Sequence, residues 1–169
     1  MDYSYLYKKL NKRTPLKTDC GLLCKNACCS DELCEEQGMY LFPGEEKMFE
    51  GDDNFKIEES EFLYGDKKAK IIFCKGKCDR NKRPLSCRIF PLFPYITPFG
   101  ELKVIVDVRA RGICPLYKKE ITEFNSVFKR GVKHIGEILM NESETFDFLF
   151  SLSRLLEEEA TSLVEILMN

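Results

Sequence analysis

The sequence has only one histidine and no long apolar run, and each of these features excludes a class of protein. A membrane-spanning helix needs about 18 apolar residues, so we expect no segment that crosses a bilayer. A single histidine excludes a zinc finger built on two cysteines and two histidines. Glycine-rich loops of the dinucleotide-binding and P-loop types are missing as well. The formal charge of -2 excludes a globally basic nucleic-acid-binding protein.

What the chain does contain is a core-forming composition and many cysteines. It has 169 residues, of which 44% are hydrophobic and 32% charged, which suits one compact domain or a domain with a helical appendage. Nine cysteines could indicate a secreted disulfide framework. The odd count and the polar, basic lead-in of residues 1–17 argue against export, and a disulfide between the adjacent Cys28 and Cys29 would be strained. We therefore expect a reducing, cytoplasmic setting.

The cysteine spacing is the strongest signal in the sequence. It runs Cys20-x3-Cys24-x3-Cys28-Cys29, followed by Cys74-x3-Cys78 and two single cysteines. Thiolates are soft ligands that suit zinc and iron–sulfur clusters. Eight thiolates could hold two four-coordinate zinc ions, or one cluster with structural cysteines left over. The predicted metal ligands are Cys20, Cys24, Cys28, Cys29, Cys74, Cys78, Cys87 and Cys114, and Cys34 is left as a core or surface thiol.

A longer phrase around Cys87 carries a family resemblance. The chain resembles the bacterial cysteine-cluster proteins, which are described as zinc- or iron-chelating domains. The resemblance lies in the cysteine cluster of residues 20–29, in Cys114-Pro115, and in the segment Cys78-Asp79-Arg80-Asn81-Lys82-Arg83-Pro84-Leu85-Ser86-Cys87-Arg88-Ile89-Phe90-Pro91. That family opens with a CxxCxxCC-type pattern, whereas the spacing here is looser. The resemblance covers about residues 20–117 and implies metal binding more firmly than any reaction. The cysteine-cluster region of flagellin lysine N-methylase is similar, so the resemblance also leaves an enzyme open.

Three functions follow from these observations. The first is a non-catalytic metal-binding protein in which zinc, or alternatively an iron–sulfur cluster, organises the fold. The second is a metal-dependent protein-modifying enzyme of the methyltransferase kind, which would need a cavity beside the metal. The third is a thiol-based redox or metal sensor. The sequence names no catalytic residue and no organic cofactor, disfavours nucleic acid and membrane as partners, and leaves a protein partner and the oligomeric state open.

Basic residues between positions 67 and 88 surround the predicted ligands. Because a zinc ion with four thiolates carries a net charge of -2, nearby cations would offset that charge. Arg83 and Arg88 flank Cys87 and are expected to support the ligand sulfurs by hydrogen bonding. His134, between polar and small residues of a helical pattern, is expected on a solvated helix face.

The predicted fold class is α+β, with a small irregular cysteine-rich metal-binding domain over 1–117 and a C-terminal helical hairpin over 118–169. Asp19 is expected to cap a helix whose single stripe carries Cys20, Cys24 and Cys28. Strands are predicted around 55–57, 61–64 and 69–73, with a turn at Gly65-Asp66, and again over 102–108. The proline-rich segment 83–100 is predicted to be an extended loop. Apolar periodicity from Tyr117 onward predicts two helices, packed on the cysteine-bearing part or on a partner.

Overall fold

The computed structural model describes residues 1–29, 38–75 and 79–168, with side chains throughout except at Cys29, Arg80 and residues 164–168. Its architecture is α+β, as the sequence predicts: antiparallel strands in two small sheets, with the longest helices at the C-terminal end. None of the helices in these ranges combines the length and the apolarity that crossing a bilayer requires.

The first sheet holds the predicted hairpin. Strands β1 (Met39–Tyr40), β2 (Phe55–Tyr64) and β3 (Lys67–Cys74) lie in the order β1-β3-β2 with antiparallel pairing. Tyr64 pairs with Lys67 across the predicted Gly65-Asp66 turn, and Gly65 has a φ of 56°, which glycine adopts without strain. The pairing is irregular between Glu59 and Leu63. The hairpin prediction is confirmed.

The second sheet contains one strand that the sequence pattern predicts and one that it does not. Strand β5 (Leu102–Val106) confirms the prediction and pairs with β4 (Leu92–Ile96), which lies in the segment predicted to be a loop. The prediction of a loop was wrong. Within the part of the chain that the structure describes, β4 has a neighbouring strand on one side only. A proline in a strand with one neighbour need not remove a ladder hydrogen bond, so Pro94 is tolerated there.

Five helices complete the described part of the chain: α1 (Tyr3–Leu10), α2 (Gly21–Cys24), α3 (Leu85–Ile89), α4 (Ser126–Leu139) and α5 (Ser143–Met168). Short 3-10 turns lie at Ala27–Cys29, Glu45–Phe49, Arg80–Lys82, Val108–Ala110, Pro115–Lys118 and Ile121–Glu123. Helix α1 begins where the Asp2 carboxylate accepts a hydrogen bond from the Tyr5 N–H. The Asn125 side chain caps α4 in the same way, by accepting from the Val127 N–H.

One main hydrophobic core joins the two predicted domains. Leu6 of α1 and Leu85 of α3 are completely buried in it, and so are Phe128 of α4 and Phe148 of α5. Two hydrogen bonds connect β4 to α5. The Ile96 N–H donates to the Ser153 hydroxyl, and the Arg154 guanidinium donates to the Ile96 carbonyl. The helical hairpin thus packs on the cysteine-bearing part, and residues on both sides of the predicted boundary at 117/118 share one core.

The cysteine helix is shorter than the spacing predicts. Helix α2 ends at Cys24, because Lys25 and Asn26 adopt left-handed backbone angles with φ of 52° and 60°. The chain then enters the Ala27–Cys29 turn, so Cys28 does not continue a helical stripe with Cys20 and Cys24. The prediction of one helix through all three cysteines was wrong, although Asp19 does bind the start of α2 by accepting from the Gly21 N–H.

Two glycines of α4 provide a test of this packing. A Cβ at Gly136 would lie 2.7 Å from Pro94 Cβ and 2.9 Å from Leu102 Cδ1, both in the β4–β5 sheet. At Gly131 a Cβ would meet mainly the flexible end of Arg13, at 2.9 Å from Nη1. Alanine gains about 1 kcal/mol of helix propensity over glycine, whereas overpacking costs about 1–3 kcal/mol.

We expect Gly136→Ala to lower the free energy of unfolding in urea by up to about 2 kcal/mol, which is the overpacking cost less the gain in helix propensity. Gly131→Ala is the matched control, since it makes the same change in the same helix, and it should be close to neutral. Equal effects of the two substitutions would contradict the close approach of α4 to the second sheet.

Candidate metal centre

Five of the eight predicted ligands line one cavity. The cavity has a volume of about 60 Å³ and lies between the end of α1, helix α2, helix α3 and the turn at Cys114. The cysteines along its wall are Cys20, Cys24, Cys28, Cys87 and Cys114. They come from three segments of the chain that are about 60 and 30 residues apart, so tertiary packing brings them together.

Local geometry around α2 places the first three of these cysteines. Asn26 reaches back over Gly21, where a Cβ would come within 2.0 Å of Asn26 Oδ1, and the Asn26 N–H donates to the Gly21 carbonyl. Only glycine leaves space for this tight return. The Cys24 thiol donates to the Cys20 carbonyl over 3.7 Å. The sharp turn therefore redirects the chain so that Cys28 lines the same cavity as Cys20, which precedes α2, and Cys24, which ends it.

A buried carboxylate positions Cys87. Glu45 is completely buried, and its Oε1 accepts hydrogen bonds from the Tyr7 hydroxyl at 2.5 Å and from the Leu85 N–H at 2.6 Å. Its Oε2 accepts from the Phe42 N–H at 3.1 Å. Because Leu85 begins α3, this carboxylate connects the helix that carries Cys87 to α1 and to the chain that follows β1.

Arg88 holds the other side of the same helix. Its guanidinium lies over the Tyr7 ring, with Cζ 4.2 Å from the ring centroid, and donates to the carbonyls of Arg83 and Asn81 at 2.6 Å each. Burial lowers the pKa of Arg88, although the nearby Tyr7, Glu45 and Cys87 oppose that shift. Arg88 donates to backbone oxygens and so orders the loop before Cys87. Both Arg83 and Arg88 line the cavity, and their predicted support of the ligand sulfurs stays a prediction.

Cys114 reports directly on the electrostatics of the cavity. The pKa of its thiol is raised to about 11, chiefly by burial. A hydrogen bond with the Leu116 backbone opposes this shift, and the negative charges of Cys28, Cys20 and Cys24 add to it. Several thiolates close together repel one another unless a cation lies among them. A metal ion would supply that cation and favour thiolate over thiol.

Positive charge surrounds the cysteines. The cavity wall includes four cationic side chains and one carboxylate, those of Lys12, Arg13, Arg83, Arg88 and Asp19. Sequence reasoning identified the two arginines beside Cys87 but placed Lys12 and Arg13 in a polar lead-in. No local pattern could have found these two, because α1 and the core bring the lead-in to the cavity. Glu45 was missed for the same reason, because its partners Tyr7 and Leu85 lie in distant segments of the chain.

The structure leaves the other predicted ligands apart from this group or undescribed. Cys74 ends β3 and is not among the residues that line the cavity. Cys78, Cys34 and the Cys29 side chain lie outside the described residues. Within residues 1–29, 38–75 and 79–168, no three histidine, cysteine, aspartate or glutamate side chains are arranged to hold a metal ion. His134 is exposed on α4, as predicted, with Nδ1 3.5 Å from Glu137.

The donor chemistry and the charge of the cavity fit a thiolate-bound metal, whereas the side-chain arrangement is not that of a complete ligand set. Comparisons of the chain with protein-family models, with curated proteins and with solved structures found no match. The resemblance to cysteine-cluster proteins therefore stays a prediction, and the assignment of the cavity rests on its own residues.

The Glu45 network predicts a pH dependence of stability. Burial raises the pKa of Glu45 to about 7, although the hydrogen bonds from Tyr7, Leu85 and Phe42 oppose this shift. Between the ordinary value of 4.5 and about 7, the folded protein holds a proton that the unfolded chain releases. The contribution of Glu45 to stability is therefore present below pH 4.5 and is lost as the pH rises through 7.

We expect the stability difference between wild type and Glu45→Gln, measured by urea unfolding, to fall by about 2–3 kcal/mol from pH 5 to pH 8. Glu46→Gln is the control: burial acts to raise the pKa of Glu46, but its bond with Lys70 lowers it overall. That carboxyl therefore titrates below this window, and its difference should stay flat. A flat difference for Glu45→Gln as well would contradict the buried, raised-pKa carboxyl.

Proposed function

We propose that the protein is a cytoplasmic metal-binding protein whose cysteines hold zinc, or alternatively an iron–sulfur cluster, in a structural and non-catalytic role. The observation that carries the proposal is the convergence of five cysteines from three segments on one cavity. Burial as small hydrophobic side chains would not require cysteines to meet at a cavity ringed by cationic groups.

The size of the cavity supports a metal over an organic ligand. Its volume of about 60 Å³ compares with the range of about 300–1,000 Å³ typical of small-molecule sites. Cys20, Cys24, Cys28, Cys87 and Cys114 could supply the four thiolates of a zinc site with one to spare. A zinc ion held by four thiolates has no coordination position left for a substrate, which favours a structural role.

Charge supports the same conclusion. Four cationic side chains and one carboxylate along the wall leave an excess of positive charge when the thiols are neutral. A zinc ion with four thiolates carries -2, so binding would bring the region close to neutrality. Thiolates that bind a metal would therefore offset part of the positive charge of these side chains.

A structural metal would also explain how the cysteine-bearing turn is attached. The exposed Leu22 and Leu23 of α2 are 83% and 60% accessible, so this helix gains little from hydrophobic packing. A metal ion bound by cysteines of all three segments would link α2 to α3 and to the Cys114 turn. The free energy of metal binding would then stabilise the fold in place of hydrophobic packing, because the unfolded chain has no preformed site.

The first test is metal analysis with visible absorption on full-length protein purified without oxygen. We expect one or two zinc ions per chain and no colour. Iron with matching sulfide and a brown colour would replace zinc by an iron–sulfur cluster and favour a redox role. Neither metal, with thiols paired as disulfides, would contradict the proposal.

Cysteine variants test which thiols matter. Cys87→Ser and Cys114→Ser should lower the metal content and the free energy of unfolding together, the latter by several kcal/mol, because the metal and the fold depend on each other. Cys34→Ser, at the one cysteine outside the predicted ligands, is the matched control and should change neither. Cys74→Ser distinguishes a protein with one metal site from a protein with two. The metal content stays constant if the cavity cysteines form the only site, and it falls by about half if Cys74 binds a second ion.

If Cys87→Ser and Cys114→Ser kept a full complement of metal and melted like Cys34→Ser, the cavity cysteines would not be ligands. The proposal would then be wrong even if metal were found, since the metal would be bound elsewhere.

A further inference from the structure

A second and much larger cavity lies beside the cysteine-lined one. It has a volume of about 590 Å³, within the range of small-molecule sites. Cys28, Cys87, Arg83, Phe90 and Ile113 line both cavities, so the two share a wall. No part of the proposed metal-binding function uses this space.

The apolar part of the wall is large enough for a hydrophobic group. Met39 and Tyr40 of β1 and Ile71 of β3 line the cavity on the side of the first sheet. Phe90 and Ile113 contribute the apolar surface that is shared with the cysteine-lined cavity. Such a surface stabilises an apolar ligand group by removing it from water.

Positively charged groups with unused hydrogen-bonding capacity lie in the same wall. Arg109 is held rigidly by Asp107, which accepts from Nε at 3.0 Å and from Nη2 at 2.7 Å. Its remaining nitrogen, Nη1, makes no hydrogen bond with the part of the chain that the structure describes. Arg111 is exposed, lines the cavity, and likewise has no side-chain partner among the described residues.

A carboxylate on a different element lines the same cavity as these arginines. Glu159 of α5 lines the cavity and has no hydrogen bond or ion pair within residues 1–29, 38–75 and 79–168. Burial raises the pKa of this half-buried carboxyl, while Arg109 lowers it and Asp107 raises it. Glu159 and Arg109 therefore interact electrostatically without forming an ion pair. A gap therefore separates groups of opposite charge that could each take a ligand partner.

We propose that this cavity binds a small zwitterion, namely an amino acid or a close derivative with an apolar side chain. Its carboxylate pairs with Arg109 and Arg111, its ammonium group pairs with Glu159, and its side chain packs on Met39, Tyr40 and Ile71. Arginine matches a carboxylate geometrically, and charge-assisted hydrogen bonds are the stronger kind. A simple anion would leave Glu159 without a partner, and a simple cation would face three guanidinium groups.

The charges on every side of the ligand are consistent with this choice. Arg109 is already paired with Asp107, and Arg83 lines both cavities together with Cys28 and Cys87. The groups left for the ligand are thus chiefly Arg111, the remaining donor of Arg109, and Glu159. A ligand with one charge of each sign satisfies them and adds no net charge to a partly buried space.

The test begins with titrations of the protein with L-leucine, L-methionine and L-phenylalanine as probes. Binding is monitored through the NMR signals of the protein. We expect saturable binding of at least one of them with a Kd below about 10 mM. The N-acetyl and amide derivatives of the tightest probe then separate its two charges, since the first lacks the ammonium group and the second lacks the carboxylate.

Two charge-removing variants should affect different derivatives. We expect Arg111→Gln to weaken the amino acid and its N-acetyl form by about tenfold while leaving the amide unchanged. Glu159→Gln should weaken the amino acid and the amide by about tenfold and leave the N-acetyl form unchanged or tighter. The matched controls are Arg130→Gln on α4 and Glu158→Gln, the exposed neighbour on α5, which should leave all three affinities unchanged.

Absence of saturable binding for all three amino acids would overturn the proposal, and so would equal effects of the variants and their controls. Zinc is quantified on the same preparations, so failure of the metal site is distinguishable. Protein that binds amino acid but no metal would refute only the structural-metal function. Protein that holds metal but ignores amino acids would refute only this inference.

Discussion

The buried carboxylate of Glu45 is the interaction on which the rest of the structure depends. Three donors from separate segments, the Tyr7 hydroxyl and the N–H groups of Phe42 and Leu85, meet at its two oxygens. Leaving any of them without an acceptor inside the core would cost about 1–3 kcal/mol. The three segments thus pack together in an arrangement that satisfies all three donors, and this arrangement holds α1 against the start of α3.

Both cavities follow from that arrangement. The end of α1 carries Lys12 and Arg13 to the cysteine-lined cavity, and α3 brings Cys87 between the two cavities. Thiols gather on one side of the shared wall, where cations compensate for thiolate charge. On the other side an apolar surface lies beside charges of both signs. The same helix thus serves a proposed metal site of about 60 Å³ and a proposed ligand site of about 590 Å³.

Local pattern predicted the elements whose causes are local. The hairpin around Gly65 and strand β5 were found because a left-handed turn residue and β-branched alternation act over a few positions. The segment from Arg83 to Gly100 was missed because its prolines fit special places: Pro84 at the start of α3 and Pro94 in a strand with one neighbour. The predicted helix through Cys20, Cys24 and Cys28 ends at Cys24 because Lys25 and Asn26 adopt left-handed backbone angles, which periodicity does not encode.

The sequence by itself determined the donor chemistry, because only cysteine supplies soft thiolates and their clustering near residues 20–29 is visible in the spacing. It also determined the α+β class through its patterns of apolar residues. Only the tertiary structure decided that Cys87 and Cys114 join the first three cysteines, that Cys74 stays apart from their cavity, and that Arg109 and Glu159 face a common space. These relations depend on core packing and on buried hydrogen bonds between residues some 40 positions apart, such as that of Leu85 with Glu45. Bonds of that span form only when the whole core assembles, so no local stretch of sequence contains them.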